Sequence, residues 1–194
     1  MFSNQISPFE YVSILVSIIL GLGITQLLSS FADLLYNYKK VKFYLPHTIW
    51  IFFLLFLHIQ DWFITYQLKD NAVWYLPELS FILLYPIALF IIAKLILPTN
   101  HLEESESMKT FYFTQYPVIF LVMSCAIIIS IALNMFLLKK NITEELPIFI
   151  FLITLLSVIG FKITKPIVHQ TLAILVLLGT LLSVILDYNQ WVIK

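Results

Sequence analysis

Residues 9–35, FEYVSILVSIILGLGITQLLSSFADLL, give the strongest indication of the fold class. This stretch contains no charged residue between Glu10 and Asp33. An apolar run of about 20 residues has the length of a helix that crosses the hydrocarbon core of a bilayer. The stretch therefore predicts a membrane-spanning helix.

The composition extends this prediction to the whole chain. Of the 194 residues, 61% are hydrophobic and 11% are charged, and the mean hydropathy is +0.97. A soluble domain carries about 25% charged residues. We predict an all-α, polytopic transmembrane bundle that forms one integral-membrane domain over residues 1–194, in contact with the lipid bilayer and without a separate soluble domain.

Long apolar runs recur at nearly regular intervals. They predict six spans, at residues 9–36, 44–67, 74–97, 111–138, 146–163 and 166–192. The fifth is the shortest and only FKITKP separates it from the sixth, so a re-entrant hairpin remains an alternative to two full crossings. The N-terminus has no basic region and no small-residue cleavage pattern, so we expect no cleaved signal peptide.

The distribution of lysine predicts the orientation. Six lysines fall in the first, third and fifth connections and four in the regions on the other side, so the positive-inside rule places both termini outside. The two sets are Lys39, Lys40, Lys42, Lys109, Lys162 and Lys165, and Lys69, Lys139, Lys140 and Lys194. The chain has no arginine, and the absence of a bidentate guanidinium disfavours binding of nucleotides or nucleic acid.

Two helix starts carry local signals. The run Ser7-Pro8-Phe9-Glu10 reads as a capping box with proline at the first helical position. The run from Asn141 to Glu144 has the same acceptor-x-x-Glu spacing before the fifth span, and it predicts a second cap there.

Small and polar side chains recur every three or four residues along the first span. The row is Glu10, Ser13, Ser17, Gly21, Thr25, Ser29 and Asp33. One interpretation is close helix packing through Ser13, Ser17 and Gly21, as in small-xxx-small contacts. The other is a polar passage lined by Thr25, Ser29 and Asp33, with Glu10 either at its mouth or serving only as a cap.

The second span places ionisable side chains on one helical face. At 100° per residue, His47, His58, Asp61 and Thr65 lie within about 60° of one another. His58 and Asp61 are neighbours at i and i+3, a spacing that allows a hydrogen bond between them. Ionisable groups inside spans are candidates for ion, proton or ligand binding, whereas the alternatives are interfacial solvation of Asp61 and a structural hydrogen bond of His58.

The third and sixth spans add further polar faces. His169, Thr180, Ser183 and Asp187 share one face of the sixth span, and Glu78 lies on the third span two turns from Tyr85. Glu78 follows Pro77, so its alternative role is to stabilise a helix N-terminus. If these faces meet, Glu10, Asp61, Glu78 and Asp187 form an acidic outer mouth, which attracts cations.

Two histidines are predicted at the inner side. His47 and His169 lie three residues into their spans, so a bis-histidine haem or metal site there is an alternative to our expectation of no cofactor. A metal-dependent hydrolase built from His58, Asp61 and His169 is a further alternative. The chain lacks H-E-x-x-H, G-x-S-x-G and glycine-rich phosphate motifs, which favours a non-enzymatic protein. Cys125 is the only cysteine, so the chain forms no internal disulfide.

The first span also supports a resemblance. Its pattern FEYVS, SIILGLG and QLL resembles the opening of a group of small polytopic membrane proteins from bacteria. The resemblance implies a location in the bacterial cytoplasmic membrane and supplies no activity and no catalytic residue.

These observations lead to two main hypotheses. The first is a multi-pass protein that conducts or transports protons, cations or a small solute along a polar path between helices, through His58 and Asp61 first and then Asp187, Glu10 and Glu78. The second is a non-enzymatic effector or subunit whose first span mediates homo-oligomer or partner-subunit contacts. A haem- or metal-binding redox protein is the third.

Overall fold

The structure, a computed structural model, describes residues 6–71, 73–98 and 107–186. Six α-helices follow one another: α1 Pro8–Tyr36, α2 Leu45–Thr65, α3 Leu76–Leu95, α4 Met108–Phe136, α5 Leu146–Gly160 and α6 Pro166–Leu186. A 3-10 turn, Tyr66–Leu68, extends α2. The only β pairing in the described ranges is an isolated bridge between Lys42 and Ser107, so the all-α prediction is confirmed.

Five of the helices are long and apolar enough to cross a membrane, namely α1, α2 with its 3-10 turn, α3, α4 and α6. Helix α5 has 15 residues, which at 1.5 Å per residue gives about 22 Å, less than the roughly 30 Å of a bilayer core. It ends three residues before the predicted fifth span does. The last part of the predicted sixth span, residues 187–192, lies outside the described residues.

The helix starts confirm one predicted cap and correct the other. At α1, the Ser7 amide donates to the Glu10 carboxylate at 2.6 Å and the Glu10 amide donates to the Ser7 hydroxyl at 3.1 Å, so the capping box is confirmed. At α5 the prediction was wrong, because the N-cap is Glu145. Asn141 instead donates to the Glu144 carboxylate inside the preceding turn. The helix starts after this turn because Pro147 favours a helix that begins immediately before it.

The bundle is built around α2 and α3. Helix α3 packs against α1, α2 and α4, while α2 packs against α1, α3 and α6, and α5 lies against α4. Aromatic side chains fill the space between α2, α4 and α5, where the Trp50 ring lies 5.1 Å from Phe120 and 6.2 Å from Phe151. This arrangement brings the middle of α2, with its two ionisable residues, into the interior.

The connection between α5 and α6 adopts a defined C-cap. Lys162 has a positive φ of 48°. The Lys162 amide donates to the Ile159 carbonyl and the Ile163 amide to the Val158 carbonyl, both at 3.0 Å. This pair of hydrogen bonds is the Schellman motif, and it leaves the Ile163 carbonyl oriented toward α6.

A buried histidine and carboxylate between the first three helices

His58 is the most enclosed ionisable residue in the middle of the bundle. Its side chain is fully buried, and its Nδ1 lies 2.8 Å from the Leu54 carbonyl. A carbonyl oxygen only accepts, so Nδ1 carries the proton and Nε2 presents a lone pair. That Nε2 is buried and has no hydrogen-bond partner in the described part of the chain.

Helix α1 meets this nitrogen at Gly23. A Cβ atom at Gly23 would overlap Nε2 of His58, so only glycine lets the two helices approach this closely. Sequence reasoning missed Gly23 and selected Gly21, at which an added Cβ would have no heavy atom within 4 Å. Helical register could have identified Gly23, because it lies on the buried stripe of α1 that contains Val12, Val16 and Leu27.

Asp61 lies about one helical turn after His58 on α2. Its Oδ2 is buried and has no hydrogen-bond partner among the described residues. Asp61 and Tyr85 of α3 are close enough to interact electrostatically. The hydrogen bond expected between His58 and Asp61 does not form, because the Nδ1 proton goes to the Leu54 carbonyl of the same helix.

Beyond Asp61, a groove opens where α1 begins and α2 ends. Thr65 donates to the Asp61 carbonyl at 2.9 Å and also lines the groove. The groove has a volume of about 430 Å³ and is lined by Phe9, Ser13, Ile14, Ser17, Ile18, Trp62, Thr65 and Tyr66. It is mostly apolar, and four of its residues carry a hydroxyl group, namely Ser13, Ser17, Thr65 and Tyr66.

The polar row of α1 faces away from the bundle interior over much of its length. Glu10, Thr25, Ser29 and Asp33 are exposed, and Ser13, Ser17 and Gly21 are partly exposed. The face of α1 that packs inward is apolar apart from Gly23. Within a single molecule, the row therefore borders the outside of the bundle and the groove.

The other predicted site residues of α3 and α6 make local hydrogen bonds where the structure describes them. Thr180 donates to the Val176 carbonyl at 2.7 Å and Ser183 to the Thr180 carbonyl at 2.9 Å, so both hydroxyls are satisfied within α6. The Glu78 carboxylate accepts from the Tyr75 amide at the start of α3. Asp187 lies outside the described residues.

His47 and His169 come together at the opposite end of the bundle. The Tyr112 ring lies 6.0 Å from His47 and 5.4 Å from His169. Nε2 of His47 lies 2.6 Å from the Ile96 carbonyl at the end of α3, and Nε2 of His169 lies 2.8 Å from the Ile163 carbonyl. Each histidine thus donates to a carbonyl outside its own helix, at the C-cap of α3 for His47 and in the connection between α5 and α6 for His169.

The described ranges contain no group of three or more His, Cys, Asp or Glu side chains that could hold a metal ion. At His169 both ring nitrogens are engaged, because Nε2 donates to Ile163 and Nδ1 accepts from the Tyr112 hydroxyl at 2.8 Å. Ligation of a metal or haem by His169 would require one of these hydrogen bonds to break.

One further buried polar pair was missed by sequence reasoning. The Asn134 amide donates to both carboxylate oxygens of Glu145 at 3.0 Å, and both side chains are buried. The pair joins the end of α4 to the start of α5. Glu145 gave no signal because it stands beside Glu144 in a polar turn, and the two become distinct only when α5 folds against α4.

A bundle of apolar helices with ionisable side chains enclosed between them defines a multi-pass helical membrane protein. No family model, no curated protein and no solved structure matches this chain.

Proposed function

We propose that this protein moves protons, or another small cation, across the membrane through His58 and Asp61. The observation that carries the proposal is that both residues keep an unpartnered atom, Nε2 and Oδ2, within one helical turn inside a membrane-spanning helix. Unpaired ionisable groups in the membrane interior are costly, and proton relays in pumps and transporters are built from such Asp and His side chains.

The chemistry of the three side chains suits proton transfer. Nε2 of His58 accepts a proton through its lone pair, Asp61 accepts one at Oδ2, and Tyr85 opposite Asp61 has a hydroxyl that both donates and accepts. The groove at Trp62 and Thr65 supplies a route from the outer side to within one turn of Asp61.

The test is ion flux in liposomes that contain the purified protein. We expect a proton or alkali-cation flux that Asp61→Asn reduces at least tenfold, because the amide cannot carry the proton or the charge. Asp33→Asn is the matched control, since Asp33 is exposed at the other end of α1. Absence of flux, or flux that Asp61→Asn leaves unchanged, refutes the proposal.

A second candidate function is assembly with another copy or a partner subunit through α1. The supporting observation is that the row from Ser13 to Ser29 faces outward and that Gly21 borders open space. Gly21→Leu or Ser17→Leu then changes the oligomeric state measured by native mass spectrometry, whereas Asp61→Asn does not. An unchanged oligomeric state in both leucine variants excludes α1 as the interface.

The proposed location is the bacterial cytoplasmic membrane, supported by the resemblance of the first span. Fractionation of cells that express the tagged protein tests it. The haem or metal alternative at His47 and His169 is tested by an absorbance spectrum and metal analysis of the purified protein. A colourless, metal-free preparation excludes haem and weakens the metal alternative.

A further inference from the structure

We propose that Gly23 and His58 form a proton-sensitive closure between α1 and α2, which opens when Nε2 of His58 takes up a proton. The inference rests on the proposed function and names its regulation. The imidazole of His58 occupies the space that any side chain at residue 23 would fill.

In the structure the contact is closed. The Nδ1 proton is held by the Leu54 carbonyl, and the Nε2 lone pair lies against the Cα of Gly23. A lone pair tolerates this position because a Cα hydrogen is at least a weak donor. The neutral imidazole therefore fits between the two helices without a polar partner for Nε2.

Protonation of Nε2 makes the closed contact unfavourable. A proton taken from water forms an N–H bond at Nε2, and that donor points at Gly23, which offers no acceptor in this direction. A cation enclosed between apolar helices without a partner carries a large desolvation penalty. Movement of α1 away from α2 relieves it, since water from the groove or the Asp61 carboxylate then reaches the new donor, and release of the proton to water restores the closed contact.

Few ionisable side chains around His58 are available as hydrogen-bond partners for a protonated Nε2. Helix α1 has ionisable side chains only near its ends, and those of α4 and the described part of α6 lie in the first third of each helix apart from the exposed Cys125. The candidate partners for a proton on Nε2 are therefore Asp61, one turn along α2, and Tyr85, which interacts with Asp61. The groups on the packed helices are Glu10, Tyr11, Asp33 and Tyr36 on α1, His47 and Asp61 on α2, Glu78, Tyr85 and Lys94 on α3, Lys109, Tyr112, Tyr116 and Cys125 on α4, and His169 in the described part of α6.

Separation of α1 and α2 also changes the groove between them. It lies on the same α1–α2 contact, and its residue Trp62 is one turn outward of His58 on α2. When α1 and α2 separate at Gly23, the groove extends toward His58 and the middle of the bundle. Proton binding thus opens the path that the transported species uses.

The experiment measures the distance between α1 and α2 directly. Spin labels are attached to Leu22→Cys and Ile59→Cys, which neighbour Gly23 and His58 and are exposed, in a Cys125→Ser background of the full chain. Double electron–electron resonance is recorded in nanodiscs at about pH 8 and about pH 5, on either side of the range in which imidazoles ordinarily titrate.

We expect the distance distribution to shift to longer values at the acidic pH. The variant His58→Asn keeps an amide donor for the Leu54 carbonyl and cannot titrate, so its distance should stay short at both pH values. The proposed closure is refuted if the label-to-label distance does not shift in the protein that retains His58, or if it shifts equally in His58→Asn.

A second pair of variants tests the steric part. Gly23→Ala should hold the helices apart at both pH values, and Gly21→Ala should behave like the unsubstituted protein, because its Cβ meets open space. If Gly23→Ala does not fold, the His58→Asn measurement still decides. A distance shift without ion flux refutes transport and leaves the closure standing, whereas flux without a distance shift refutes the closure alone.

Discussion

Tyr112 donates its hydroxyl proton to Nδ1 of His169, with a distance of 2.8 Å between O and N. His169 in turn donates from Nε2 to the Ile163 carbonyl. The two hydrogen bonds form a chain from α4 through α6 to the connection that follows α5. A single buried imidazole thus connects three elements at the end of the bundle where α4 and α6 begin.

The first prediction concerns the hydrogen bonds of His169. Tyr112→Phe leaves Nδ1 of His169 buried without a donor, and we expect a loss of about 1–3 kcal/mol in the free energy of unfolding. Tyr116→Phe is the control, since its ring lies 4.8 Å from that of His169 but its hydroxyl makes no hydrogen bond to the histidine. Unfolding of both variants in detergent measures the difference, and equal losses would contradict the assigned role of Tyr112.

The second prediction concerns the close approach at Gly23. Gly23→Ala inserts a methyl group where the imidazole of His58 lies, and overpacking of this kind costs about 1–3 kcal/mol. In a His58→Asn background the space is partly vacated, so the cost should shrink, whereas Gly21→Ala should be neutral or slightly stabilising. A double-mutant cycle with thermal unfolding as the readout gives the coupling energy, and a value near zero would show that the two residues do not compete for space.

The third prediction concerns the buried pair between α4 and α5. Asn134→Ala leaves the Glu145 carboxylate buried without its donor, which should cost about 1.5–3 kcal/mol because hydrogen bonds to charged groups are the stronger ones. Asn141→Ala is the matched change at an exposed asparagine that donates to Glu144, and it should cost about 0.5 kcal/mol or less. Chemical unfolding in micelles compares the two, and the opposite order would be inconsistent with the structure.

The fourth prediction separates function from stability at Asp61. Its Oδ2 has no partner among the described residues, so Asp61→Asn removes an unpaired buried acid and should leave the melting temperature unchanged or raise it. This follows because residues retained for activity are often destabilising where they stand. A clear fall in melting temperature relative to Asp33→Asn would indicate that Asp61 is instead a structural residue.

Much of the architecture could be predicted because the bilayer constrains it. Helices are the structures that satisfy every backbone group within one apolar segment, so apolar runs alone located all six helices. The boundaries moved where local chemistry decides them. At α5 the helix begins at Leu146 as predicted, and the Schellman turn at Lys162 ends it at Gly160, three residues before the predicted boundary.

The candidate site was predicted only in part. Helical periodicity placed His58 and Asp61 on one face of α2, and the structure keeps both in the interior. Helical periodicity could not predict that Nδ1 of His58 donates its proton to the Leu54 carbonyl, because this hydrogen bond depends on the rotamer of a packed side chain. Asp61 and Tyr85 lie far apart in the sequence, and only the packing of α3 against α2 brings them together.

Residue type and the 3.6-residue period were sufficient to predict that this chain forms apolar helices, where each one lies and which side chains share a helical face. Which faces meet depends on the packing of the helices, and it became apparent only there. The polar row of α1 faces outward and the imidazole of His58 faces Gly23, because helix packing is governed by the shapes of both surfaces and a glycine offers the space that His58 fills.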